Sequence, residues 1–416
     1  MIDTRPRTQR AQPDLGTQAS LNRTGDWIRQ FGPRLAGTAG CRNTAQALHG
    51  ELERICGQAR VEPFVTRPGG FTGFYRVDAL IYLAGVILLL LNQPLPAALL
   101  LTVMIVAAGL EFGHYLEVYD WLYPRAECQN VCAALEPRGV PTRQLIFSGH
   151  HDAAQELRFL QGSQKLYALK ILIPDSCRML GCVTAWTWLA GLWLTGGPPA
   201  FVALAKIVLV LGLYPVFTKF FLFTDHISPG AGDNLIASSM LVDLADAFRD
   251  PERPGVSTLE HTRLIFASFD AEESGLRGSR AWVRAHRAEL SALPTAALNF
   301  DSLYRLEDLQ FLVSDLNSHV KLDRALVETC LGIAHRLGYP AGRAVMRFGG
   351  GATDAAELAK AGVRATTLIA MSTRVVRDGL VYHTRHDTVD AIEPEAVTAC
   401  LSIARDLALE IDRSAT

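Results

Sequence analysis

Short apolar runs and helical periodicity alternate along much of the chain. NVCAAL (130–135), QLIFS (144–148), RLIFASF (263–269), TAALNF (295–300), LQFLV (309–313) and ATTLIA (365–370) have the length and composition of buried strands. Helical spacing lies between them over 234–248, 278–285, 320–337 and 394–412. In the last of these, Val397, Leu401, Ala404, Leu407 and Ile411 form one apolar stripe. Strand and helix in alternation predict an α/β fold, with a mostly parallel sheet sandwiched by helices. Functional residues in such a fold belong to loops at the carboxyl ends of the strands.

Two longer stretches break this rhythm. No charged residue occurs from Ala79 to Leu110, where NQPLP (92–96) interrupts the run. None occurs from Met179 to Ala205, where TGGPP (195–199) does the same, and beyond Lys206 the chain stays mainly apolar to Phe223. Each run predicts a helical hairpin, over 77–115 and 174–223, with arms at 77–91, 95–115, 174–194 and 200–223. A spanning helix needs about 20 residues for a hydrocarbon core of about 30 Å. The last three arms approach that length with Glu111, Asp175, Arg178 and Lys206 near the interface; the first is short. Core hairpins of a soluble protein keep a polar face, whereas LIYLAGVILLLL and ALLLTVMIVAAGL are apolar all round. Trp186, Trp188 and Trp193 suit an interfacial belt. A lipid bilayer is therefore an expected partner. Two hairpins leave everything else on one side. The turns lack Lys and Arg, whereas Arg76, Arg125, Lys170, Arg178 and Lys219 lie on the other side, which predicts that this side is cytoplasmic.

Composition adds limits. The 416 residues carry 40 basic and 42 acidic side chains spread along the chain, a net charge of −2, with no nucleic-acid footprint. Eight cysteines without framework spacing read as reduced thiols, and Cys128 and Cys132 lack the second pair or histidine that a metal site needs. The first 20 residues are polar and hold Arg5, Arg7 and Arg10 with no apolar core behind them. They are expected to be a disordered tail, not a signal peptide. The remainder, 21–416, reads as one large α/β domain interrupted by the two hairpins.

The strand ends carry the chemistry. QLIFSGHHD ends in His150, His151 and Asp152; LFTDHISPGAGDN ends in Asp233; RLIFASFDAEESG ends in Glu272 and Glu273; TAALNFDS ends in Asp301. Beyond ATTLIA come His383, His386 and Asp387. So many carboxylates on one rim repel one another, and Arg385 is the one basic residue beside them in sequence. A divalent metal, or two, would relieve the conflict, and mixed His and carboxylate ligands suit zinc, manganese or cobalt. Alternation along an extended chain puts His150 and Asp152 on one face and turns His151 away. His150 then reads as a ligand, with Asp152 either its orienting partner or a neighbouring support. Alternation also separates Glu273, a ligand, from Glu272, a general base over the water to be activated. A solvated helix N-terminus would explain the Glu-Glu pair taken alone.

SGHHDAAQE, PGAGDNLIAS, FDAEESGLRGSRAW, LNFDS, GGGATDAAEL and YHTRHDT follow one another as in the M28 family of zinc aminopeptidases, which the chain resembles. The leading stretch QFGPRLAGTAGCRNTAQALHGELERI is similar to that family's opening helices, so the resemblance covers most of the chain outside the hairpins. It implies a three-layer α/β/α, phosphorylase/hydrolase-like fold around a mixed sheet, and a co-catalytic centre of two Zn2+, with Co2+ or Mn2+ as substitutes. Residue by residue, it implies His150 and Asp301 on one zinc, Glu273 and His383 on the other, and Asp233 bridging them. Asp152 supports His150, and Glu272 is the general base. His383 stands in the H-T-x-x-D register, with His386 as the alternative. Asp354 matches a recurrent S/T-D position with a supporting role, while Asp225 and His226 are loop residues. The chain departs from the family where the second hairpin separates Asp152 from Asp233, and both insertions are placed to hold the site near a bilayer. The expected activity is hydrolysis of a peptide or aminoacyl substrate from its N-terminus. The alternatives are a glutaminyl-cyclase-like or amidohydrolase reaction, and a silent membrane scaffold on a peptidase fold. The complete ligand set favours hydrolysis.

Overall fold

The computed structural model describes residues 15–161, 164–372 and 379–414. In chain order the strands are β1 (Ala59–Thr66), β2 (Ala126–Leu135), β3 (Arg143–His150), β4 (Gln155–Leu157), β5 (Phe223–Ile227), β6 (Thr262–Phe269), β7 (Thr295–Leu303), β8 (Leu309–Asp315), β9 (Val320–Lys321), β10 (Gly342–Val345) and β11 (Arg364–Ala370). The main sheet runs β1-β2-β6-β3-β7-β11-β8-β10 with β9 beside β8, while β4 and β5 pair separately. Its centre, β6-β3-β7-β11, is parallel; β1, β2 and β8 join antiparallel, and β10 lies parallel to β8. The sheet is therefore mixed around a parallel core.

Strand β3 is buried nearly end to end because helices cover both faces, so it reads as a continuous apolar run. Leu145 and Phe147 face the larger core with Leu48, Leu241, Val327 and Leu401; Ile146 faces the smaller one with Trp282, Leu290 and Leu358. Helices Ala39–Cys56, Ile236–Phe248, Arg324–Arg336 and Pro394–Arg413 form one outer layer, and Arg277–Ala285, Arg287–Ala292 and Ala355–Lys360 the other.

Three local readings change. The unexpected β1 contains Pro63, which an edge strand paired on one side tolerates. The helix expected from 320 begins at Arg324, because Asp323 caps it by accepting the Leu326 N–H at 2.6 Å, and Val320–Lys321 pairs as β9 instead. Of the expected disordered tail, 1–14 lie outside the described residues, and from Thr17 the chain is already helical to Phe31.

Both apolar hairpins fold and pack on each other. Gly69–Leu90 with Pro94–Ala108, and Tyr167–Thr195 with Val202–Leu211 and Leu213–Phe220, make one bundle around Tyr82, Val86, Leu101, Trp188 and Leu209. The first arm begins at Gly69 instead of 77 and runs 22 residues, about 33 Å at 1.5 Å per residue. The last arm breaks at Gly212, where a Cβ would come within 2.7 Å of the Tyr82 hydroxyl. Among the described residues three helical stretches, Gly69–Leu90, Pro94–Gly113 and Val202–Phe220, are long and apolar enough to cross a membrane. Tyr167–Thr195 is longer still, but it carries Lys170, Asp175 and Arg178 in its first half.

Candidate metal centre

The carboxyl ends of β3, β6 and β7 open on one rim, and the loop before helix Ile236–Phe248 and the segment after β11 close over it. His150 ends β3 with Nδ1 3.2 Å from Asp152 Oδ1; its Nε2 faces Asp233 Oδ1 at 3.4 Å and Glu272 Oε2 at 3.6 Å. His151 points the other way, its Nδ1 2.8 Å from Ser268 Oγ, as strand alternation requires. After β6 the chain turns through Ala271 at φ 57°, and Asp152 accepts the backbone N–H groups of both Glu272 and Glu273 at 3.2 Å. One aspartate thus orients His150 and fixes the loop of the two glutamates.

On the opposite wall, His383 Nε2 lies 3.0 Å from Asp233 Oδ2 and 3.0 Å from Glu273 Oε2. Asp301 projects from β7 and accepts Ser302 Oγ–H at 2.8 Å. His150, Asp233 and Asp301 form one group whose ligand atoms all lie within 4.8 Å of one another; Asp233, Glu273 and His383 form a second. Asp233 belongs to both. His150 with Glu272 and Glu273 makes a third group between them.

The electrostatics are those of too many buried acids. Burial pushes Glu272 and Asp301 well above the carboxylate range, and Glu273 up to about 7. Burial disfavours charge on His383 too, yet Glu273 and Asp233 raise it to about 10; His150 rises likewise beside Glu272, Asp152 and Asp233. Asp233 is held below its ordinary range, against burial, by the His150 and His383 imidazoles that face it. Buried His150 Nδ1 and Nε2, Asp233 Oδ2 and His383 Nδ1 make no aligned hydrogen bond among the described residues. Unsatisfied imidazole nitrogens facing an excess of carboxylate fit a first-row divalent cation, zinc foremost.

Sequence reasoning singled out these residues but missed what holds them. Arg34, fully buried, donates from Nε to the His151 carbonyl at 3.0 Å and from Nη2 to the Gly230 carbonyl at 2.8 Å. It staples the histidine loop to the Asp233 loop, and its own carbonyl accepts the Ala153 N–H at 3.0 Å. Asp387 accepts the N–H groups of Gly232 at 2.7 Å and Asp233 at 3.3 Å, holding the shared carboxylate from behind. The H-T-x-x-D spacing marks Asp387 but not its partners. Gly232 has to be glycine, since a Cβ would enter the Tyr304 ring at 2.2 Å. His386 is exposed; Asp225 and His226 are exposed too, but they lie in β5, paired with β4, and not in a loop as expected. Asp354 is buried at the start of helix Ala355–Lys360, where burial pushes it up to about 7.

Residues 218–408 match the model of peptidase family M28. A probable glutamate carboxypeptidase from Arthroderma benhamiae is 40% identical over 72 residues, a stretch that spans 17% of this chain and about a tenth, 10%, of that relative. A Zn-dependent exopeptidase from Parabacteroides distasonis superposes with a TM-score of 0.53 at 14% identity, covering 94% of this chain and 97% of that one. A glutaminyl cyclase from Fimbriiglobus ruber gives 0.53 at 13%, covering 96% and 97%. A zinc aminopeptidase from Bacillus subtilis gives 0.53 at 13%, covering 95% and 94%. At these identities the structural likeness is one of fold.

Proposed function

We propose that the chain, whose residues 218–408 match the model of peptidase family M28, works as a membrane-anchored zinc aminopeptidase with two metal ions. The carrying observation is the pair of buried ligand groups joined through Asp233, with Glu272 beside both. In this reading His150 and Asp301 hold one zinc, Glu273 and His383 the other, and Asp233 is shared. When bound, the ions polarise the scissile carbonyl and activate water. Asp152 fixes the His150 ring and the glutamate backbone. Glu272 takes a proton from the attacking water and returns it to the leaving amine. The buried rim around it keeps bulk water away and strengthens each of these contacts.

The membrane part of the proposal rests on the outer face of the bundle. Leu80, Leu99, Val103, Leu204, Ile207 and Trp193 lie there more than half exposed, an apolar face of the kind that marks a membrane or protein contact. The turns of both hairpins lack Lys and Arg, which supports placing the catalytic side in the cytoplasm. The test is metal analysis of detergent-purified protein together with a panel of aminoacyl and dipeptide substrates. About two zinc ions per chain, and turnover abolished by a chelator and restored by zinc or cobalt, are expected. No divalent metal after mild purification would overturn the assignment. A cyclase is the second reading, favoured by the glutaminyl cyclase among the structural neighbours. A Gln-initiated peptide separates the two, since a cyclase releases ammonia and an aminopeptidase releases free glutamine.

A further inference from the structure

The base of the first apolar hairpin grips the loop that carries Glu272 and Glu273. Arg277 follows that loop, and its guanidinium is about 1% exposed. Its Nε donates to the Ser274 carbonyl, inside the loop, at 3.0 Å. Its Nη2 donates to Asp120 Oδ1 at 3.0 Å and, more weakly, to Glu111 Oε1 at 3.4 Å. Nη1 lies 2.8 Å from Glu117 Oε1 but off the N–H direction, a charge contact without a hydrogen bond. Glu111 sits in the wide π-helical turn Gly109–Gly113 that ends the second arm, fully buried, and its other oxygen accepts the Val118 and Tyr119 N–H groups at 2.7 and 3.2 Å. On the entering arm, Phe71 packs on Gly275, where a Cβ would come within 3.0 Å of the ring. Arg280, one turn beyond the loop, donates to the Tyr115 carbonyl at 2.8 Å.

The two flanks of the loop are thus held by different parts of the chain. Asp152 grips the amides of Glu272 and Glu273 on the strand side; Arg277 and Phe71 grip Ser274 and Gly275 on the hairpin side. A buried guanidinium stays put only where acids balance it, and two of the acids it bonds, Glu111 and Asp120, come from the end of the hairpin and the turn after it. Groups that handle protons and metals have to be held to within about half an ångström, which calls for support on both flanks of their loop.

We infer that the first hairpin is a positioning element of the catalytic loop: Glu111 and Asp120, acting through Arg277, hold Glu272 and Glu273 in register, so the anchor is coupled to turnover. The inference rests on the roles given to Glu272 and Glu273 above. The full-length chain in detergent tests it with the double variant Glu111→Gln/Asp120→Asn, the variant Phe71→Ala, and Glu328→Gln, an exposed charge far from the loop, as control. Amide hydrogen exchange over 271–276 should rise about tenfold or more in the double variant and in Phe71→Ala, with the central strands unchanged. Turnover number should fall about 10- to 100-fold at unchanged KM, with both ions retained. Unchanged loop exchange and turnover in both would overturn the inference. If the double variant does not fold, Phe71→Ala decides alone, because it leaves every charge in place. If the wild-type chain turns over no substrate while loop exchange still responds, the enzyme assignment fails, the coupling to turnover fails with it, and only the hold of the hairpin on the loop stands.

Discussion

Asp233 Oδ2 lies 3.0 Å from His383 Nε2, while the other oxygen of the same carboxylate faces His150 at 3.4 Å. One side chain therefore belongs to both ligand groups. Asp233→Asn keeps the shape but removes the charge and one good ligand oxygen. Metal content should fall from about two ions per chain to one or fewer, with turnover below detection. Elemental analysis and a turnover assay on the same sample check this, and two retained ions would remove Asp233 from the shared position.

The two doublets should separate by substitution. His150→Ala should lose metal and turnover together. His151→Ala should keep the metal and most of the activity, at a cost of about 1 kcal/mol in stability, because it removes one of two partners of buried Ser268, which keeps its bond to Ser238. Glu272→Gln should keep the metal and lose roughly 10²–10⁴ in rate. Glu273→Gln should instead weaken metal binding. An inactive His151→Ala with an active His150→Ala would reverse the facing of the strand end.

The six apolar runs read as strands all lie in the sheet, and the ends of three of them, β3, β6 and β7, bring His150, Glu272, Glu273 and Asp301 together, because buried strands and their terminal loops carry strong local signals. What escaped was set by distant contacts. β1 is half-buried and contains Pro63, so its pairing with β2 leaves no local pattern. Arg34 and Asp387 act on backbone groups of loops far away in sequence, which spacing does not reveal. The first arm looked short because Arg76 and Asp78 interrupt its apolar run. In the fold Asp78 accepts from Arg178 at 2.6 Å and from the Tyr119 hydroxyl at 2.7 Å, so its charge is matched inside the bundle base.

His286 gives the fold a pH dependence away from the metal centre. Its Nδ1 lies 2.7 Å from Glu289 and its Nε2 2.9 Å from Glu62 on β1, and these bonds raise it to about 9 against partial burial. A folded value above the unfolded value of about 6.5 means that this stabilisation is complete below pH about 6.5 and disappears as pH rises through about 9. Glu289, lowered by the same contact, carries the opposite dependence and weakens as pH falls into the carboxylate range. His286→Gln should be less stable than wild type by about 1 kcal/mol at pH 6, after allowance for partial exposure, and nearly equal at pH 9.5. Unfolding midpoints at the two pH values measure the difference; parallel curves would refute the linkage.

The membrane proposal makes its own demand. With the first arm at 22 residues, about 33 Å, it matches a hydrocarbon core of about 30 Å, and so do the 20- and 19-residue stretches Pro94–Gly113 and Val202–Phe220. Tyr167–Thr195 has length to spare, and its charges lie at one end. Asp175 meets Lys219 at 2.8 Å and Arg178 at 2.7 Å, at the end where the bundle joins the catalytic domain. Lys206 lies in the apolar stretch, 4.5 Å from the Trp188 ring centroid and 2.8 Å from Asn92 in the first turn, which carries its charge toward the far interface. In the proposal all four arms cross, which puts both turns on the side away from the candidate metal centre. The protein should stay with membranes through alkaline carbonate and require detergent for extraction. Cysteines placed in NQPLP and TGGPP should react with an impermeant reagent from the non-cytoplasmic side, and one placed at exposed Glu328 from the cytoplasm only. Turns that never label from outside would mean that the hairpins enter the bilayer without crossing it. A chain that is monodisperse in water without detergent would remove the bilayer as its partner, because the exposed Leu, Ile, Val and Trp faces of the bundle would then have to be stable against solvent.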